Sequence, residues 1–210
     1  DAVLLSLQRI MKHDVHLGGV SSLELAGHAH YLPLGGTPQV HVYGDVPSWL
    51  RRLPSDATFV VHWRILFGED RTGIVDTDRE PQNDDQAVTV WRWPLVAASP
   101  ERAVLEALDD LTDQASFEAL DRIFESLTGL RPRLLMTLLA ACRSVKVRRL
   151  FFVFADRHRH AWRKHLEMDK IDLGAGPRAL VAGGKLHPIY HITVPRGFLP
   201  PERAEVDADA

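Results

Sequence analysis

The chain has 210 residues, 45% of them hydrophobic, and a formal net charge of −3. This length allows a domain of ordinary to generous size with a buried core, and the overall charge gives no reason to expect a nucleic-acid or membrane-surface binder. The lone cysteine, Cys142, excludes an internal disulfide and a cysteine-based zinc finger. Neither a signal peptide nor roughly 20 consecutive apolar residues occurs. We therefore expect a cytoplasmic protein without a membrane partner.

The first hundred residues are predicted to form an opening helix and a sheet of short strands. Apolar residues recur at helical spacing over residues 3–11. A short helix is predicted over 23–26, with Ser21 or Ser22 as its cap. The charged stretch 68–86 predicts a long exposed loop or hairpin. Runs of β-branched and aromatic residues between Gly and Pro predict a mixed or antiparallel sheet, with strands at 15–17, 28–32, 39–43, 57–67 and 87–93.

At Ser99 the pattern changes to that of helices. Ser99 suits an N-cap and Pro100 the first helical position, so a helix is predicted to about residue 111. The sequence then predicts helices over 117–127, 132–142 and 145–158, and a short one over 161–166. A closing hairpin is predicted from strands 178–182 and 190–194, joined across Gly183, Gly184 and Pro188. The predicted fold class is therefore α+β, with a mixed or antiparallel sheet of short strands first, a helical group next and a hairpin last, followed by a disordered tail at 199–210.

The eleven histidines suggest a metal site, for which His28 and His30 are the best candidates. On a strand they would share a face and could chelate zinc together with His16 or His41. No carboxylate is spaced to complete the set and no H-E-x-x-H occurs, so we predict no metal site. His158 and His160 lie among basic neighbours and are interpreted as solvated or as capping backbone groups.

Enzyme signatures are missing as well. Nothing near Cys142 marks an activated nucleophile, and no G-x-S-x-G elbow occurs. The glycines near Gly174 and Gly184 do not match a phosphate-binding loop. The acids of residues 101–125 fit the solvated faces of amphipathic helices. The sequence thus predicts a binding protein without catalytic residues or a cofactor.

Basic residues are concentrated between residues 131 and 170, where eleven Lys or Arg stand against three acids. Val147, Leu150, Phe151 and Phe154 are predicted to face the core, which leaves a basic face on the other side of the helix. This face could bind a phosphate backbone or an acidic protein surface. It could also be a solvated face neutralised by the acidic helices. The candidate interaction residues, called the basic set below, are Arg143, Lys146, Arg148, Arg149 and Arg157.

Several motifs in combination resemble one family. They are V-H-L-G-G at residues 15–19, L-E-L-A-G-H-A-H-Y-L at 23–32, S-P-E-R-A-V-L-E at 99–106, G-L-R-P at 129–132, S-V-K-V-R-R-L-F at 144–151, I-D-L-G at 171–174, G-G-K-L at 183–186 and Y-H-I-T-V-P at 190–195. This combination resembles the AbiEi antitoxins of bacterial type IV toxin–antitoxin systems, which act in abortive infection, a phage defence. The resemblance covers most of the chain.

The resemblance implies a C-terminal antitoxin domain over residues 1–198, β-rich at 13–97, helical at 99–168 and a hairpin at 171–195. It also implies that the partner is a cognate nucleotidyltransferase-like toxin. The antitoxin would counteract this toxin without requiring a stable complex. Promoter DNA would be bound, in autorepression, by an N-terminal winged helix that we expect to be absent from this chain. Two alternatives remain: a nucleic-acid-binding regulatory domain without toxin-neutralising activity, and a degenerate nuclease or nucleotidyltransferase-like enzyme.

Overall fold

The computed structural model describes residues 2–28, 37–62, 66–76 and 94–200. The opening helix is confirmed as α1 (Ala2–Leu5), continued by a π-helical turn at Ser6–Ile10. After β1 (Val15–Leu17), α2 (Gly19–Leu25) begins earlier than predicted, with Gly18 as its N-cap. The predicted serine cap is wrong, because Ser21 and Ser22 lie inside the helix and their hydroxyls donate to backbone carbonyls of other segments. Ser21 Oγ donates to Gln39 O at 3.2 Å and Ser22 Oγ to Ala98 O at 2.6 Å.

A five-stranded mixed sheet forms the N-terminal part of the fold, as predicted. Its other strands are β2 (Gln39–Gly44), β3 (Thr58–His62), β4 (Ile74–Asp76) and β5 (Val96–Ala98), in the spatial order β3-β2-β1-β5-β4. β1 runs antiparallel to β2 and parallel to β5, while β2 and β3 are parallel. β4 pairs antiparallel with β5. The central strand β1 therefore joins two segments that are far apart in sequence.

Several strand predictions need correction or fall outside the described residues. β5 was missed, and β4 lies inside the segment predicted as a loop or hairpin. Both strands are three residues long, too short to show a clear alternating pattern. The strand predicted over 57–67 ends at His62, and residues 66–69 form a turn. His28 is not in a strand; the rest of the 28–32 prediction and all of 87–93 lie outside the described residues.

The helical group agrees closely with prediction. It consists of α3 (Pro100–Asp109), α4 (Gln114–Ser126), α5 (Pro132–Ala141) and α6 (Val145–His158). Ser99 is the N-cap residue of α3, and Pro100 and Pro132 occupy first-turn positions. α4 begins three residues before the predicted start because Asp113 and Ser116 form a capping box. The predicted short helix is a 3₁₀ turn at Ala161–His165.

The core has two parts that together position the sheet against the helices. The larger part joins α3 to α6 and contains stacked or tilted aromatic pairs such as Phe117 with Phe154 and Phe124 with Phe151. Trp162 closes it, donating from Nε1 to Leu127 O at 2.6 Å. The smaller part lies under the sheet, where α1 packs with the strands. The α+β class is confirmed.

The C-terminal hairpin exists, but the predicted pairing is wrong. Its strands are β6 (Lys185–Leu186) and β7 (Thr193–Val194), paired antiparallel. Arg178 forms only an isolated parallel bridge with Ile192. Gly183, at φ 70°, turns the chain before the first strand, so the glycines precede the hairpin and do not connect it. The tip is held by His187 Nδ1, which accepts from the backbone N–H groups of Ile189 and Tyr190 at 3.3 Å.

Candidate functional site

Helix α6 carries most of the predicted basic set, and its local structure follows from its sequence. Ser144 caps the helix by accepting from the Val147 N–H at 3.3 Å. The helix ends at His158, and the next residue, Arg159, has a left-handed backbone (φ 52°) and donates its N–H to Ala155 O. The predicted apolar stripe is confirmed as fully buried; it comprises Val147, Leu150, Phe151 and Phe154.

Arg149 does not lie on an exposed face. Its side chain is only 3% exposed and donates to four backbone carbonyls. Nε bonds Leu173 O at 2.7 Å, Nη1 bonds Gly176 O at 2.7 Å and His191 O at 2.8 Å, and Nη2 bonds Gly174 O at 3.1 Å. The planar guanidinium thereby fastens the C-terminal segment to α6.

Arg148 and Lys146 are half-buried and differ in their partners. Arg148 Nη2 lies 3.8 Å from Asp172 Oδ2, and its buried Nε has no hydrogen-bond partner among the described residues. Lys146 Nζ donates to Asp109 O at 2.5 Å. Burial lowers the pKa of Lys146, while the nearby carboxylates of Asp109 and Asp110 oppose that effect. Both side chains are therefore integrated into the fold.

Arg157 and Arg143 are the exposed members of the basic set. Arg157 Nε bonds both carboxylate oxygens of Asp121 at 3.0 and 3.1 Å, Nη1 bonds Gly197 O at 2.6 Å, and its Cζ stands 4.7 Å from the Phe198 ring centroid. Arg143 precedes the helix and so is not on it. Its guanidinium packs on Gly68 and has no hydrogen bond or ion pair to a described residue.

The structure also forms a groove that the sequence analysis did not anticipate. It has a volume of about 960 Å³ and lies along the start of α5. Leu130, Leu134 and Met136 supply apolar walls, and Arg131, Arg133, His165 and Lys170 supply cationic or titratable groups with Glu167 as the acid. The wall on α5, with Arg133 beside Leu134, could be recognised in the sequence. The opposite wall comes from residues 165–170. Only the tertiary fold brings the two together.

The histidines weighed for a metal site do not assemble in the arrangement that was considered. His30 lies outside the described residues, His28 Nδ1 hydrogen bonds to Ser126 Oγ at 3.2 Å, and His16 pairs with Glu106. The described part of the chain instead brings His41 together with His62 and Asp110. His160 Nε2 bonds Phe124 O at 2.9 Å, which agrees with the backbone-capping interpretation. His158 Nε2 bonds Asp121 Oδ1 at 2.7 Å.

Two of the quoted motifs meet in a buried ionic network. His16 and Gly19 come from the motif at 15–19, and Arg102 and Glu106 from the motif at 99–106. Glu106 is bonded by His16 Nε2 at 2.9 Å, Arg102 Nε at 2.9 Å and the Gly19 N–H at 3.1 Å. A Cβ on Gly18 would come within 2.3 Å of Glu106 Oε2, which explains the glycine.

Four further motifs are linked in the same way. Arg149, in the motif at 144–151, bonds carbonyls of the motif at 171–174 and of the motif at 190–195. Arg131, in the motif at 129–132, bonds the buried carboxylate of Glu101 through Nε and Nη2, both at 3.0 Å. Six of the eight motifs that carry the resemblance therefore supply hydrogen bonds or ion pairs that hold the fold together.

Comparison with known proteins agrees with the resemblance. Residues 37–195 match the profile described as a transcriptional regulator, AbiEi antitoxin, of a type IV toxin–antitoxin system. Residues 1–34 match the profile of the AbiEi antitoxin N-terminal domain; within this range the described residues form α1, β1 and α2. No curated protein and no solved structure gives a significant match.

The family is regulatory, which agrees with the prediction of a non-enzymatic protein. Within the described residues, no helix has the length and apolar character required to cross a membrane. The profile matches extend from the opening helix to the closing hairpin and so include every motif quoted above. The chain belongs to the AbiEi family of antitoxins and transcriptional regulators of type IV toxin–antitoxin systems.

Proposed function

We propose that this chain neutralises a cognate nucleotidyltransferase-like toxin in the bacterial cytoplasm and does so without forming an obligatory stable complex. The supporting observation is that the family match extends over residues 37–195 and includes the complete helical group and the hairpin. Repression of the shared promoter is proposed for the winged helix that the resemblance implies.

Within the basic set, Arg143 and Arg157 are the proposed contact residues. Both are exposed, whereas Arg149 is buried and Lys146 and Arg148 are half-buried. Arg143 has no charged partner among the described residues, so its guanidinium is available to a carboxylate or a phosphate. Arg157 offers part of its guanidinium while Asp121 and Gly197 hold the rest.

Growth rescue tests this proposal directly. The 210-residue chain is co-expressed with the toxin encoded beside it, and growth is compared with that of cells carrying the toxin alone. We expect rescue by the wild-type chain and weakened rescue by Arg143→Glu combined with Arg157→Gln. Failure of the wild-type chain to rescue, with the protein folded and present at normal levels, would overturn the antitoxin proposal for these residues.

Arg133→Glu is the matched control. Arg133 is an exposed arginine on α5 in the groove, so the same charge reversal is placed on another surface of the domain. We expect rescue to survive this change. Loss of rescue with Arg133→Glu, together with full rescue by the Arg143 and Arg157 variant, would reject the basic set and assign the interaction to the groove.

Nucleic-acid binding by the domain itself is the second candidate, favoured by the basic excess between residues 131 and 170. Its signature is an affinity that falls as the salt concentration rises. On duplex DNA, the logarithm of the binding constant falls against the logarithm of the salt concentration with a slope of about −0.9 per phosphate contact. A gel-shift series across salt concentrations measures that slope. A steep slope that Arg143→Glu reduces, in a chain that fails to rescue growth, would favour this candidate over the antitoxin.

A further inference from the structure

Parallel strands β2 and β3 place two histidines on one face of the sheet. His41 pairs in register with Val60, and Tyr43 with His62. Because alternate residues of a strand share a face, His41, Tyr43 and His62 all point to the same side. Tyr43 stacks on His62 with ring centroids 4.0 Å apart, and His41 stacks on His62 at 5.2 Å.

A carboxylate from the helical group faces these rings. Asp110 follows the last residue of α3, and its Oδ2 lies 3.5 Å from His41 Nδ1. Its Oδ1 lies 3.3 Å from His62 Nδ1, and His41 Nδ1 lies 3.0 Å from His62 Nε2. One ligand atom from each of the three residues lies within 4.8 Å of the other two.

We propose that His41, His62 and Asp110 form a binding site for one divalent transition-metal ion, with Zn²⁺ as the best chemical match. Two imidazoles and a carboxylate are donors that this ion accepts. Bonds of about 2.0–2.2 Å in a tetrahedral arrangement place donor atoms roughly 3.3–3.5 Å apart. With one donor atom from each residue, the three donors lie within 4.8 Å of one another, so modest side-chain rotations bring them to this spacing.

The fourth coordination position opens to solvent. His41 and His62 side chains are 14% exposed and that of Asp110 is 36% exposed. A cleft of about 310 Å³ begins at His62 and Asp110 and is also lined by Asp109 and Glu106. A water molecule or a group from a partner can therefore complete the coordination, as in zinc sites with three protein ligands.

The surroundings of the site favour a cation. Tyr43 donates from its hydroxyl to Asp110 Oδ2 at 3.2 Å, which orients the carboxylate in the manner of an outer-shell partner. The acids Glu24, Glu106 and Asp109 face the histidines, and Lys146 is the opposing cation beside Asp109.

The measurement is a zinc titration of the full 210-residue chain, purified without a histidine tag and stripped with a chelator. We expect one Zn²⁺ per chain by calorimetry, a Co²⁺ derivative with the visible bands of tetrahedral coordination, and a higher melting temperature with Zn²⁺ but not with Mg²⁺. Asp110→Asn, which is nearly isosteric, and His41→Asn should each weaken Zn²⁺ binding about 100-fold or more, beyond the range typical of outer-shell partners.

Two further variants test the surroundings, and one is the control. Tyr43→Phe should weaken binding about tenfold by releasing the carboxylate, and Lys146→Gln should strengthen it by removing the competing ammonium. His165→Gln changes an exposed histidine outside the cluster and should leave binding unchanged. Circular dichroism verifies that each variant is folded. Absence of stoichiometric Zn²⁺ binding, or binding that survives in folded His41→Asn and Asp110→Asn chains, would overturn the site.

Discussion

Glu106 illustrates how single residues link α3 to the sheet. Its carboxylate is buried, and burial by itself would raise its pKa, but His16 and Arg102 hold that pKa below the ordinary value. Arg102 in turn donates through Nη1 to Asp70 O and Thr72 O at 2.8 Å. The network thus connects the central strand, the helix and the turn before β4.

Replacing Glu106 with Gln should therefore destabilise the protein strongly. The change removes the charge that compensates two buried basic groups, and breaking such a buried pair costs roughly 3–5 kcal/mol. Urea unfolding of both proteins measures the loss. Glu125→Gln, at an exposed position of α4, is the control and should change the free energy of unfolding by less than about 0.5 kcal/mol. Equal stability of Glu106→Gln and wild type would contradict this interpretation.

Arg149 makes the corresponding connection at the other end of the fold. Replacing it with Met should destabilise the protein by about 3 kcal/mol or more, because four carbonyls lose a charged donor. Amide hydrogen exchange should quicken at Arg178 and Thr193, whose N–H groups bond within the segment that Arg149 fastens. Arg149→Lys keeps the charge without the fork and should also destabilise. Unchanged exchange in both variants would show that the fork is dispensable.

At the scale of elements, Asp121 ties α4 to the end of α6. It receives bonds from Arg157 and His158, which together hold its pKa below the ordinary value against the opposing effect of burial. A carboxyl with a depressed folded pKa stabilises the fold above its unfolded pKa, about 3.9. That stabilisation is lost as the pH falls through the lower folded value.

The stability difference between wild type and Asp121→Asn should accordingly depend on pH. At pH 7 the wild type should be more stable, and below about pH 4 the two free energies of unfolding should converge as the carboxyl is protonated. Urea unfolding at a series of pH values gives both curves. Asp172→Asn, at an exposed position near the less closely paired Arg148, is the control. A difference that stays constant down to pH 2 would disprove the role of the Asp121 charge.

Whole-molecule stability can be followed through Cys142. Its side chain is buried in the larger core and its pKa is raised to about 11, chiefly by burial. Because the thiolate is the reactive form, a thiol reagent should react slowly with the native protein and quickly in denaturant. The native labelling rate should follow the free energy of global opening and rise in the Glu106→Gln variant. Fast labelling of native wild-type protein would contradict this burial.

The helical half of the molecule was largely predictable from local sequence. Ser99 with Pro100, Pro132 and Ser144 mark helix starts, and the apolar stripe of α6 was identified by its period. The short strands were less predictable, since β5 gains its identity from pairing with β1. The predicted hairpin pairing was wrong because the Leu180 and Val181 N–H groups donate to the side-chain oxygen of Thr193, Oγ1, and so form no ladder with the backbone of the last strand.

The candidate sites were less predictable than the fold. The helical periodicity could not show that Arg149 is buried among backbone carbonyls while Arg157 is exposed. Those carbonyls belong to a later segment of the chain. Likewise, nothing in the sequence indicated that His41 and His62 would lie close to Asp110. The sheet register and the end of α3 bring the three together.

The sequence by itself determined the helices, the α+β class and the family, because caps, hydrophobic periods and motifs are local properties of the chain. Only the tertiary structure decided which charges are exposed, how the motifs contact each other and where a metal could bind. The physical reason is that burial and side-chain partnership depend on segments far apart in sequence. Glu106, Arg149 and Asp110 acquire their roles only when those segments meet.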